Sequence, residues 1–221
     1  MAPVSPDVDV VLRTVATTIV ANAAEFAQLD AVAGDGDFGF SLRSGFEVVA
    51  ADYETFDAAS VGSVLKKIGF TIAAKVGGVS GPIWGTAFMR AATEAGDRTE
   101  LTGEELVAVL RAAITGIKER GQSDVGDKTL LDALVPAVDS LEESVRKGWA
   151  DGGVAALQEA ADVAVRAAED TLGMLAMRGR AAYTGERSRG SVDAGATAIG
   201  VILQEVSAAW RETRQMKEPT P

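Results

Sequence analysis

The chain is 221 residues long and 47% hydrophobic, with 32 Asp and Glu against 21 Lys and Arg, a formal charge of −11, no histidine and no cysteine. That length can bury a substantial core as one domain, and the missing cysteines exclude disulfides, thiolate metal sites and cysteine nucleophiles. The acidity argues against a nucleic-acid partner, and no apolar run approaches the roughly 18 residues of a membrane span; a soluble, cytoplasmic protein is expected.

Hydrophobic periodicity predicts helices nearly throughout. Val8, Leu12, Val15, Ile19 and Phe26 form the first apolar stripe, Leu42, Phe46, Val49 and Tyr53 the second, and Val61, Leu65, Ile68 and Ile72 the third. A fourth helix is expected to open near Pro82, a favourable first-turn residue, and to carry Ile83, Ala87 and Met89. Thr102 followed by Glu105 makes a capping box that starts the fifth, with Leu106, Leu110, Ala113 and Ile117 on its face. Leu131, Leu134, Val138, Leu141 and Val145 mark the sixth. The seventh is read as one long helix from Val154 through Leu172 to Leu175, alanine-rich and so suited to close helix contacts. Asp193 caps the eighth, which carries Ile199, Ile202, Leu203, Val206 and Trp210. Trp84, Trp149 and Trp210 are expected to pack. No alternating strand pattern interrupts the series, so the expected fold is all-α, eight antiparallel helices in one domain over residues 1–213, with 214–221 as a flexible tail.

Four glycine-rich loops join these helices: residues 30–41, Gly77 to Pro82, Gly121 to Thr129, and 178–195. Each precedes a helix start, where unpaired N–H groups and the helix dipole favour an anion and glycine allows close approach. If neighbouring helices alternate in direction, all four loops fall at the same end. The first loop holds Asp30, Asp35 and Asp37. Carboxylates this close repel unless a cation sits among them, and an all-oxygen set suits a hard divalent metal. Asp-Gly pairs also serve as plain turns. An EF-hand is excluded, because counting from Asp35 puts Phe46 at the position of the terminal glutamate. Gly121 to Thr129 approaches a P-loop, but Asp127 interrupts the Gly-Lys-Thr and the segment before it is helical. Tyr183, Glu186 and Arg187 are read as pinning their own loop by polar contacts.

Taken together, Gly34-Asp35-Gly36-Asp37-Phe38-Gly39, Gly77-Gly78-Val79-Ser80-Gly81-Pro82, Gly126-Asp127-Lys128-Thr129 with Asp132, Gly179-Arg180-Ala181-Ala182-Tyr183 with Gly185-Glu186-Arg187-Ser188, and Asp193-Ala194-Gly195-Ala196 resemble the L subunit of dihydroxyacetone (glycerone) kinase, DhaL. The resemblance covers nearly the whole chain, in the family's order. It implies an all-helical barrel of eight antiparallel helices with a nucleotide, ADP or ATP, and two Mg2+ ions at one end. Asp30, Asp35 and Asp37 match the metal ligands. Phe38, Gly39, Phe40 and Ser41, together with Val79 and Ser80, match phosphate contacts, Gly121, Leu130 and Arg178 match positions around the nucleoside, and Asp193, Ala194 and Gly195 match the last contact loop. The chain departs from the family at Phe38, often histidine there, and at Ala194, often proline.

The resemblance further implies a kinase subunit of glycerol metabolism that is active only with a partner. In this family a K-type subunit holds the ketose covalently through a histidine, which this chain lacks. The phosphate comes either from exchanging ATP or from a sugar-phosphotransferase phosphocarrier of the M type that recharges bound ADP. The ketose is dihydroxyacetone or a four-carbon sugar such as erythrulose. A competing reading is an ADP-dependent regulatory subunit that binds a transcription factor.

Overall fold

The computed structural model describes residues 4–217, and among them nine α-helices and no strand. The helices are α1 (Pro6–Ala21), α2 (Ala23–Ala33), α3 (Phe38–Asp52), α4 (Val61–Lys75), α5 (Ser80–Ala95), α6 (Gly103–Gly121), α7 (Leu131–Arg146), α8 (Val154–Asp170) and α9 (Ala194–Lys217). Local signals start several of them. Ser5 accepts from Val8 N ahead of Pro6 in α1. Ser60 and Ser63 form a reciprocal capping box on α4, and Thr102 and Glu105 form the expected one on α6. Asp193 Oδ2 accepts from Ala196 N at 2.7 Å at the start of α9.

Eight helices close a ring: α1 packs on α3, α3 on α4, and so on in chain order until α9 returns to α1. This bears out the all-α barrel. Its shared core includes Ile19, Leu42, Phe46, Ile68, Ile72, Leu131, Val138 and Leu141, each at most 1% exposed. Trp84 is buried in it, and Trp149 and Trp210 pack against it, as expected.

The ninth helix comes from the first stripe, which divides in two. Both the backbone N–H and the side-chain amide of Asn22 bond to Thr18 O, at 3.0 and 2.8 Å, and α2 leaves α1 at a bend of 58°. The bend carries Phe26 across the barrel end, where its ring lies 6.5 Å from that of Phe38 and α2 packs on α3 and α9. No single helix among the described residues is long and apolar enough to cross a membrane; the pair α1 and α2 reaches that length only across this bend.

The seventh stripe is shorter than expected. α8 stops at Asp170, and Thr171 closes it: its hydroxyl donates to Ala168 O and accepts from Asp193 N at 2.8 Å, so the helix end is tied to the loop before α9. Leu172 then falls in a short 3-10 turn, half exposed, and Leu175 lies beyond any helix. At the other boundary, residues 214–217 of the expected tail belong to α9, where Arg214 pairs with Asp7 at 2.8 Å; residues 218–221 lie outside the described residues.

Candidate functional site

All four glycine-rich loops meet at one end of the ring, around a cavity of about 480 Å³. The alternation of helix direction is the reason: α3, α5, α7 and α9 begin at this end, and α1, α4 and α6 begin at the other. Their starts differ in chemistry. Ser5, Ser60 and Thr102 cap α1, α4 and α6 at the far end with side-chain oxygens and Asp193 caps α9 at this end, whereas α5 has no side-chain cap and opens on the cavity at Val79 and Ser80. Uncapped N-termini suit an anionic ligand.

The acidic loop is folded around Asp30, in the last turn of α2. Asp30 Oδ2 accepts from Gly36 N at 2.8 Å and more distantly from Phe38 N at 3.4 Å. A Cβ on Gly34 would overlap Asp30 Oδ1, and Gly36 has a φ of +74°, so both glycines are needed for this wrap. Burial pushes the Asp30 carboxyl above its ordinary range, and the charges of Asp35 and Asp37 push the same way against the two backbone bonds. One oxygen from each of Asp30, Asp35 and Asp37 lies within 4.8 Å of the others. This all-oxygen, anionic set has the donor chemistry of a hard divalent cation.

A guanidinium already stands at two of the three. Arg180, from the 3-10 segment Arg180–Ser188, reaches 2.9 Å to Asp37 Oδ1 with Nη1 and touches Asp35 Oδ2 with the same atom. Desolvation acts upward on Asp35, but the Arg180 hydrogen bond and charge outweigh it and hold that carboxyl below the usual range. Arg180 is absent from the residues expected to form the site. Helix parity brings the whole 178–195 loop to this end but cannot choose among its four arginines, and Arg178, the one expected there, donates from Nε to Asp127 Oδ2 at 3.0 Å.

Of the other expected residues, Phe38, Val79, Ser80, Gly121, Leu130, Arg178, Asp193, Ala194 and Gly195 line the cavity together with the three aspartates. Gly39, Phe40 and Ser41 do not line it. Gly39 is buried where α3 crosses α2: a Cβ there would overlap Ala23 O and lie 2.7 Å from Ala27 N. Phe40 points outward, 53% exposed. In the loop before α7, buried Asp132 accepts from Gly126 N at 2.5 Å and Thr129 N at 2.6 Å, shaping the turn that carries Lys128. Burial raises the Asp193 carboxyl to about 7; nearby Asp132 adds to the rise, while the Ala196 amide and Lys128 oppose it.

An all-α ring with a cavity at one end, three clustered aspartates and an uncapped helix start beside them has the chemistry to hold a divalent cation with an anionic ligand. The comparisons with known proteins narrow the class. The DAK2 domain family matches residues 32–208. The PEP-dependent dihydroxyacetone kinase ADP-binding subunit DhaL of Escherichia coli (strain K12) is 39% identical over 184 residues, 83% of this chain and 87% of its own length. The L-erythrulose kinase of Pectobacterium atrosepticum is 37% identical over 193 residues, 86% of this chain but 32% of that protein, so the chain spans about a third of it. A crystal structure of the C. freundii dihydroxyacetone kinase in complex with AMP-PNP and Mg2+ superposes with a TM-score of 0.71 at 24% identity, covering 94% of this chain and 35% of that one, a likeness of fold. The chain belongs to the DAK2 domain family and is of the DhaL type.

Proposed function

We propose that the chain is the nucleotide-binding subunit of a dihydroxyacetone-type kinase, holding ADP or ATP with two Mg2+ ions and handing phosphate to a ketose on a separate K-type subunit in the cytoplasm. One observation carries this reading: the three aspartates, the uncapped start of α5, and Arg180 all meet on one cavity. The names of the E. coli and C. freundii relatives support the nucleotide and the metal.

Bound Mg2+ supplies neutralisation of the phosphate oxygens, and Asp30, Asp35 and Asp37 are the residues that hold it. The remaining work falls to the chain. The first-turn N–H groups of α5, with Ser80 among them, would bind phosphate oxygens. Gly121, Leu130 and Arg178, with the loop Asp193 to Gly195, hold the nucleoside. Arg180, exposed and ion-paired through its guanidinium, provides a positive charge for the phosphoryl group in transfer. Because the chain has no histidine, a ketose bound covalently through histidine must sit on the partner.

The sugar is chosen by that partner; matches to both dihydroxyacetone and erythrulose kinases favour keeping the two ketose classes together. The test is to mix the purified chain with a K-type subunit and either ketose, supplying phosphate from ATP or from an M-type phosphocarrier. Transfer from one donor is expected. No transfer from either, with a K-type subunit shown to be competent, sinks the reading.

A further inference from the structure

Lys128 is 4% exposed and has a φ of +61°, a backbone conformation that residues with a side chain seldom adopt. Its ammonium bonds to three main-chain oxygens: Met174 O at 3.3 Å, Ser191 O at 2.7 Å, and Ser188 O in closer contact. A lysine has three N–H donors and no acceptor, so all of its protons are used. Among the described residues no carboxylate lies within ion-pair distance of it. Asp127, its neighbour, takes the next two ties: its carbonyl accepts from Met177 N at 3.0 Å and its carboxylate from Arg178 Nε at 3.0 Å.

These five bonds reach residues 174, 177, 178, 188 and 191, both ends of the segment from which Arg180 projects onto Asp35 and Asp37. The hydrogen bond from Ala176 N to Ser188 Oγ, at 3.0 Å, folds the segment on itself and adds no tie to the barrel. We propose that Lys128 is a positioning residue, a latch that fixes residues 174–191 over the cavity and so presents Arg180, rather than a ligand of phosphate as its Gly-Asp-Lys-Thr setting suggests. The latch stands on this geometry alone; its effect on phosphate transfer rests on the role of Arg180 under the proposed function.

The test uses the full chain with limited trypsin digestion of wild type, Lys128→Met and Lys128→Arg. In Lys128→Met, cleavage after Arg178, Arg180 and Arg187 is expected to rise by about tenfold or more, the effect of losing a charge-assisted hydrogen bond, with cleavage after Arg111 and Arg146 in α6 and α7 unchanged. Lys128→Arg keeps a cation that cannot place three protons on converging carbonyls and should fall between; if Lys128→Met does not fold, this variant carries the test. Unchanged cleavage in the segment, or an equal rise at the helical sites, overturns the latch. With the K-type subunit, losses in kcat from Lys128→Met and Arg180→Ala should be non-additive in a double-mutant cycle, whereas additive losses overturn positioning. If Arg180→Ala leaves kcat intact while segment cleavage still rises in Lys128→Met, the latch holds and the role given to Arg180 falls.

Discussion

Arg180 Nη1 lies 2.9 Å from Asp37 Oδ1, joining a cation from the loop before α9 to a carboxylate from the loop before α3, residues 143 positions apart in the chain (180 − 37). The same atom touches Asp35, so the guanidinium neutralises part of the acidic cluster from within. A divalent cation must compete with it. Arg180→Ala is therefore expected to tighten binding of Mg2+ alone, without nucleotide, by roughly two- to fivefold, the modest range of exposed ion pairs. Calorimetric titration at low ionic strength checks this; weaker Mg2+ binding in the variant refutes it.

The three aspartates should act as one site. At about a hundredfold its dissociation constant, Mg2+ with ADP should stabilise the native protein by about 2.7 kcal/mol. Asp35→Asn is expected to lose most of this while leaving the unliganded thermal midpoint nearly unchanged, since Asp35 is exposed. Differential scanning fluorimetry with and without Mg2+ and ADP reads both quantities. An undiminished ligand shift in Asp35→Asn removes that residue from the site.

Gly39 is required for packing whatever else its backbone does. Gly39→Ala places a methyl group onto the Ala23 carbonyl at the crossing of α2 and α3, and backbone on both sides resists a shift. The expected cost is about 3 kcal/mol, at the upper end for an overpacked core. Urea denaturation measures it, and a loss under about 1 kcal/mol would show that α2 yields easily.

Asp193 should leave a signature in the pH dependence of stability. Its native carboxyl is raised to about 7 from 3.8. Between these values the native state binds more protons than the unfolded state, so this group's stabilisation is complete below about pH 4 and is lost as pH rises through 7. Asp193→Asn keeps a side-chain oxygen for the α9 cap and cannot titrate. Subtracting the variant's stability from that of wild type at each pH should give a difference that falls from pH 5 to pH 7.5. A flat difference rejects the raised value.

Much of this was written locally in the chain. The barrel follows from apolar residues at three- and four-residue spacing, because a helix face is set by its own sequence, and the Thr102 box and the Asp193 cap are bonds between residues three apart. Helix parity then brings the glycine-rich loops to one end before any contact is known. The break at Asn22 was not legible, since no glycine or proline marks it; α2 turns there so that Phe26 can be buried across the barrel end.

The sequence by itself determined the all-α class, the end at which the site lies, and the three aspartates as its acidic cluster. Only the tertiary structure decided which arginine meets those aspartates, that Gly39 serves a helix crossing, and that the ammonium of Lys128 is spent on main-chain carbonyls. The division has a physical cause. Periodicity, capping and turn chemistry act over a few neighbouring residues, whereas the partner of a long charged side chain depends on how distant loops are set against each other, here across 60 residues or more between Lys128 and Ser188 or Ser191.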